Sequence, residues 1–245
     1  NWTGEVINNG VYRHNSTADQ ELSGVISGTG AIEHTGGNAG TSTLTLSGAN
    51  TYTGDTTVSA GTLQVDGIIA SVTVDNGASL TGSGSITGAA TISGTLAIGN
   101  SPGTMTFSSL TLNGGSTTIM EIDGTAGAGV TSGHDFADVS GALVYGGALT
   151  LDIGTTFEVG NYTFDLFDFA SETGTFSSMV LADQYSGSLL DGDLDGIWDL
   201  TDGNDTWQFT ESNGILSLTV VPEPSAYALL LGVFGMTFVA LRRRR

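Results

Sequence analysis

A glycine followed by apolar residues at every second position returns along this chain, and that motif narrows the possible folds more than any other feature. It reads Gly61-Thr62-Leu63-Gln64-Val65, Gly94-Thr95-Leu96-Ala97-Ile98, Gly103-Thr104-Met105-Thr106-Phe107 and Gly147-Ala148-Leu149-Thr150-Leu151. Thr43-Leu44-Thr45-Leu46, Ser71-Val72-Thr73-Val74 and Leu110-Thr111-Leu112 carry the same alternation without the leading glycine. Period two marks a strand with one buried face. Runs this short are unusual for a sandwich strand. No segment of the first 124 residues has helical periodicity. A unit with so few apolar side chains cannot bury a core alone, so neighbouring units must stack. Ser27-Gly28-Thr29-Gly30-Ala31-Ile32 and Thr81-Gly82-Ser83-Gly84-Ser85-Ile86 echo each other in the same way. The expectation is an all-β chain wound as a parallel β-helix, a solenoid. Glycines stand at corners where φ must be positive, and Thr and Ser face outward. An ordinary β-sandwich is the competing reading.

The pattern changes at Asp123-Gly124-Thr125-Ala126-Gly127-Ala128-Gly129. Residues 1–124 read as β-helix repeats. Residues 130–221 read as a C-terminal β-rich region with longer, more aromatic strands, continuing or capping the solenoid. Residues 222–245 read as a separate tail. The chain opens on Asn1-Trp2-Thr3-Gly4, which looks like the middle of a repeat, and carries no signal peptide there. A longer parent protein is expected.

Charge excludes one class of partner. There are 25 Asp and Glu against 5 Lys and Arg, with no lysine at all. Four of the five basic residues are the last four, so the body keeps Arg13 alone. Nucleic-acid binding needs cations on phosphates and is excluded. Cysteine is absent, which removes disulfides, thiol catalysis and Cys-ligated metals.

Leu44 to Val65 reads Leu-Thr-Leu-Ser-Gly-Ala-Asn-Thr-Tyr-Thr-Gly-Asp-Thr-Thr-Val-Ser-Ala-Gly-Thr-Leu-Gln-Val. This segment resembles the autotransporter-associated β-strand repeat, whose pattern is L-x-L-x-G-x-N-T-Y-x-G-x-T-x-V-x-x-G-x-L-x-V. The resemblance implies a parallel β-helix in a passenger-type surface protein. Gly99 to Thr104 and Trp198-Asp199 look like segments that close such repeats. The residues also have a reading of their own. Leu44, Leu46, Val58, Leu63 and Val65 point inward, Asn50 and Tyr52 flank a tight turn, and Gly48, Gly54 and Gly61 are corners. Autotransporters finish in a long transmembrane barrel, for which the residues after Val221 leave no room, so export by that route is not expected.

The tail has three parts in order. Pro222-Glu223-Pro224 precedes an uncharged run, 226–241, which ends on Arg242, Arg243, Arg244 and Arg245. As a helix the run spans about 24 Å, slightly short of a ~30 Å hydrocarbon core, and snorkelling arginines extend it on the cytoplasmic side. These parts resemble the PEP-CTERM sorting signal. The resemblance implies export, membrane anchoring through the C-terminal helix, and processing near Pro222-Glu223-Pro224 by an exosortase-type enzyme. It also implies an association with exopolysaccharide or biofilm matrix.

Few other residues carry chemistry. Asp191-Gly192-Asp193-Leu194-Asp195-Gly196 fits the start of a calcium loop, and Asp202 falls at its twelfth position, where an EF-hand carries Glu. Asp191, Asp193, Asp195 and Asp202 are therefore candidate Ca2+ ligands. The flanks are not helical, and a plain acidic turn explains the same residues. His14, His34 and His134 lack zinc spacing and are expected to be exposed. Asp135 with Asp138, and Asp165 with Asp168, are the available carboxylate pairs for a hydrolase. Acids are common on any such surface, so no catalytic residue is assigned. The leading expectation is a non-enzymatic cell-surface or matrix protein, structural or adhesin-like, with glycans as partners and no cofactor beyond a possible structural Ca2+. The alternatives are a carbohydrate-active β-helix enzyme whose catalytic coils lie in the missing N-terminal part, and a calcium-stabilised adhesin.

Overall fold

Alternation decides the interior. Leu44, Leu46, Val58, Leu63 and Val65 are all fully buried, each on the inward side of a short strand. The structure is a computed structural model and describes residues 1–37, 40–99 and 102–222. Within it the strands stack coil upon coil into parallel ladders. One ladder runs through Gln20–Leu22, Thr43–Leu46, Gly61–Val65, Ala78–Gly82, Thr95–Ile98, Thr117–Ile122, Ala148–Ile153 and Ser178–Asp183. A second runs through Val11–His14, Ala31–His34, Thr56–Val58, Val72–Val74, Ser85–Ile92, Thr104–Leu112, Phe136–Tyr145 and Phe167–Gly174. A shorter third wall pairs Val6–Ile7 with Ile26–Ser27, and Ile68–Ile69 with the start of Ser85–Ile92. From Ser85 onward the strands of that wall run on into the second ladder. They shift register between Ile86 and Ala89, Phe107 and Leu110, and Val139 and Ala142. Bulges aligned in successive coils bend each strand around a corner. The sandwich reading fails, because each ladder strand pairs in parallel with the strand one coil further along the chain.

In-register stacking turns the sequence echoes into continuous core columns. Leu44, Leu63, Leu80, Leu96, Thr118, Leu149 and Met179 lie one above another in the first ladder. All seven are fully buried. Such columns bury apolar area between coils, which no single coil can do.

The parallel ladders pass across residues 124–130, joining Glu121 to Asp152 and Thr111 to Val144. After Ser178–Asp183 the direction reverses, and Gly187–Leu189 pairs antiparallel with it. A four-stranded antiparallel sheet follows, in the order Gly160–Asp165, Ile215–Val220, Asp205–Thr210, Ile197–Asp202. Its buried aromatics close the last coil. The Phe209 ring lies 6.2 Å from Phe167 and 6.3 Å from Phe176, and Trp207 lies 5.0 Å from Tyr185. Glu211 fastens this cap. Its Oε1 accepts from Thr175 Oγ1 at 2.9 Å, Phe176 N at 2.9 Å and Trp198 Nε1 at 3.0 Å.

The glycines have two different reasons. Gly61 is a true corner with φ 79. Gly48 and Gly54 are not in the left-handed region. They are glycine because the carbonyl oxygens of Gly24 and Gly30, one coil earlier, stand where a Cβ would be. Gly24, Gly48, Gly67 and Gly84 form one such column, each pressed against the glycine of the coil before it, starting from Gly4.

Among the described residues no helix is long and apolar enough to cross a membrane. The expected helix 226–241, with Glu223, Pro224 and Arg242 to Arg245, lies outside the described residues, and only Pro222 of the tail lies within them.

Candidate functional site

The outward side of the solenoid repeats as strictly as the inward side. Thr57, Thr73, Thr91 and Thr111 are register partners in four successive coils of the second ladder. Thr43, Thr62, Ser79, Thr95 and Thr117 do the same in the first ladder. Neighbouring members are about 4.8 Å apart, the spacing of paired strands. These residues are half-buried or exposed, and all but Ser79 are β-branched threonines with few rotamers. At the N-terminal end of the first of these columns stand Glu33 and Arg13, joined by an ion pair. On the third wall the outward series is Ser85, Thr106, Asp138 and Asp168. The result is a set of flat polar faces with fixed pitch and almost no positive charge.

The acidic loop is the second feature. Asp191, Asp193 and Asp195 bring carboxylate oxygens within 4.8 Å of one another. Asp191 accepts from Asp195 N and Gly196 N at 3.1 Å each, and Asp195 Oδ1 accepts from Ile197 N at 3.0 Å. Asp202 is not in this group. It ends the strand Ile197–Asp202, opposite Asp205. The loop borders a cavity of about 330 Å3, also lined by Glu172, Thr175, Leu194 and Glu211. Three carboxylates fit a hard cation that draws its other ligands from water.

The carboxylates that the sequence offers as pairs lie in different surroundings. Asp135 is fully buried, and its oxygens accept from Gly103 N at 2.7 Å and Glu121 N at 2.8 Å. Burial, with the nearby Glu121 and Asp123 carboxylates, pushes its pKa up to about 7, against the pull of the two N–H donors. Asp138 faces outward in the same strand, beside Asp168 of the next coil. Asp165 is exposed at the end of a cap strand, its pKa raised by partial burial and by Asp168.

The expectation of exposed histidines is overturned. His14 and His34 are 3% and 0% exposed, and His134 is also buried. The reason is parity. His34 stands two residues after the inward Ile32, and His14 two after Tyr12. They head an inward column continued by Val58, Val74, Ile92 and Leu112. Their Nδ1 atoms are 3.0 Å apart. His34 Nε2 lies 3.0 Å from Ser42 O, which can only accept, so His34 carries its proton there. His34 Nδ1 is then the acceptor, His14 Nδ1 the donor, and His14 Nε2 is left buried without a partner. Burial, with the adjacent His34, lowers the His14 pKa.

Asn50 and Tyr52 reach beyond the turn they flank. Asn50 does not take a left-handed backbone. It spans three coils, its Oδ1 accepting from Ile26 N at 2.9 Å and its Nδ2 donating to Gly48 O and Ile68 O at 3.0 Å each. Tyr52 is buried, its hydroxyl 2.6 Å from Thr56 Oγ1, and burial pushes its pKa up to about 12. Gly48, Asn50, Tyr52 and Gly54 of the repeat thus each have a structural task.

Fold and surface together define a parallel β-solenoid with a capped C-terminal end and polar, repetitive walls. Within it, residues 39–65 match the family model of the passenger-associated transport repeat. That match covers the coil holding Asn50, Tyr52 and the Gly48 contact. No curated protein matches this chain.

Proposed function

We propose that this is a non-enzymatic exported surface protein whose rod displays hydroxyl columns to glycans or matrix polysaccharide. The observation that carries the reading is the unbroken register of Thr57, Thr73, Thr91 and Thr111 on one wall. A hydroxyl at each coil, at constant pitch, offers many weak hydrogen bonds that act together on a repeating polymer. The passenger-type repeat at residues 39–65 supports display outside the cell. In this reading the tail resembling PEP-CTERM anchors the rod in the membrane until an exosortase-type enzyme processes it near Pro222-Glu223-Pro224.

The test is affinity electrophoresis of the chain in a panel of neutral and acidic polysaccharides. Replacing Thr57, Thr73, Thr91 and Thr111 together by valine keeps the β-branched shape and removes the hydroxyls. About a tenfold loss of retardation is expected, given ~0.5–1 kcal/mol per hydrogen bond and only part of the column engaged. Retention of all polysaccharides unchanged by the variant contradicts the reading. Convergence of Asp191, Asp193 and Asp195 favours a second reading, in which Ca2+ stiffens the cap of the same adhesive rod.

A further inference from the structure

The two ends of the stack are unlike. The C-terminal end lies under the antiparallel cap. At the N-terminal end, among the described residues, Val6–Ile7 and Val11–His14 each pair on one side only. Ile7, Val11 and Trp2 are 77%, 56% and 55% exposed. An apolar cavity of about 260 Å3 opens there among Trp2, Val6, Tyr12, Leu22 and Ile26. Trp2 already belongs to the first ladder. Its N–H donates to Glu21 O and its carbonyl accepts from Ser23 N, both at 2.9 Å.

A glycine says what covers this end. Gly30 and Gly54 have no side chain because the carbonyls of Gly10 and Gly30, one coil earlier, fill the Cβ positions. Gly10 heads that column. Space around its own missing Cβ is empty, and its φ is not in the left-handed region. Nothing among the described residues requires glycine at position 10. A coil in front, laying a carbonyl over it in the register that Gly10 itself uses on Gly30, would require it.

We propose that the open end is the seat of one more parallel coil, supplied by polypeptide ahead of Asn1, which rests a carbonyl on Gly10 and covers Trp2, Val6 and Tyr12. The seat continues the coil-on-coil interface that builds the rest of the molecule. An incoming parallel coil must offer its C-terminal face. A second copy of this chain cannot, since that face lies beneath its cap. Two N-terminal ends meeting across a two-fold axis pair antiparallel, which places no matching carbonyl column over Gly10.

The chain's own register supplies the test. Trp2 is the partner of Leu22, and His14 of His34, so residues 1–20 make one coil. A second copy of residues 1–20 placed ahead of Asn1, with the added copy's Trp2→Phe, puts a coil on the seat. The melting temperature should rise, and Trp2 emission should shift to the blue with reduced acrylamide quenching, over the constant background of buried Trp198 and Trp207. Gly10→Ala should be harmless in the 245-residue chain and lower the melting point of the extended chain by about 5 °C. An extended chain with unchanged melting and an unprotected Trp2, or a Gly10→Ala effect equal in both chains, overturns the proposal. So does a stable dimer of the 245-residue chain that Val11→Lys dissolves, because the end then belongs to a second copy.

Discussion

The carbonyl oxygen of Gly24 occupies the space that a side chain on Gly48 would need. This contact sets the closeness of two coils at a corner, and Gly67 and Gly84 repeat it further along. Gly48→Val should therefore cost about 3 kcal/mol or more, or prevent folding, through overpacking against fixed backbone. Gly114→Ala, at a turn with open space around it, should stay within about 0.5 kcal/mol. Denaturant unfolding of the two variants checks this.

The leucine column of the first ladder has one flaw. Thr118 sits between Leu96 and Leu149, fully buried, and its hydroxyl has no partner. Thr118→Val keeps the shape and removes an unsatisfied polar group. A gain of about 1–2 kcal/mol is expected in the same unfolding measurement.

Buried carboxyl and imidazole groups act oppositely on pH dependence. Asp135 has a raised folded pKa, so the native state holds its proton where the unfolded state does not. Its contribution is full below about pH 4 and is lost as pH rises toward about 7. His14 and His134 have lowered folded pKa values, from burial first in each case. Their contribution is full above about pH 6.5, the unfolded value, and is lost as pH falls through the folded value. Melting curves between pH 4 and 8 should show Asp135→Asn losing the stabilisation that the parent gains on acidification toward pH 5. His14→Val with His34→Val should shrink the acid-side decline and leave the share that His134 carries, and the fold should hold, since valine continues the column that Val58 begins.

The acidic loop gives a test of the calcium reading. Millimolar Ca2+ should raise the melting temperature by a few degrees, on the order of 1–2 kcal/mol for a weak site near saturation. A chelator should reverse the change, and Asp193→Asn should abolish it. Asp202→Asn should leave it intact, since Asp202 stands outside the converging group. Identical melting in Ca2+ and chelator contradicts a structural cation.

The wall-forming segments were legible because alternation reports one buried face wherever it occurs. Leu63 and Val65 needed nothing more. The same parity places His34 inward two residues after Ile32, but a polar residue in a short strand masks that signal. The coil-to-coil role of Gly48 was not legible, because contact with Gly24 exists only once the register is known. The reach of Asn50 was hidden for a related reason: its partners, Ile26 and Ile68, belong to the coils on either side. Asp135 lies in a sequence that gives no hint of burial, since its N–H donors come from Gly103 and Glu121. The acidic loop was visible as spacing, but spacing alone could not separate Asp202 from Asp191, Asp193 and Asp195.

Disulfide trapping of the stacked threonines is the most direct measurement, and the absence of native cysteine makes it clean. Paired cysteines replacing Thr57 and Thr73, Thr73 and Thr91, or Thr91 and Thr111 stand in register on adjacent coils, within disulfide reach of about 4.4–6.8 Å between Cα atoms. Each pair should crosslink within one chain under mild oxidation, while cysteines at Thr57 and Thr91, a coil further apart, should not. Crosslinking of Thr57 with Thr91, or of none of the adjacent pairs, contradicts a stacked parallel coil and removes the surface on which the proposed function rests.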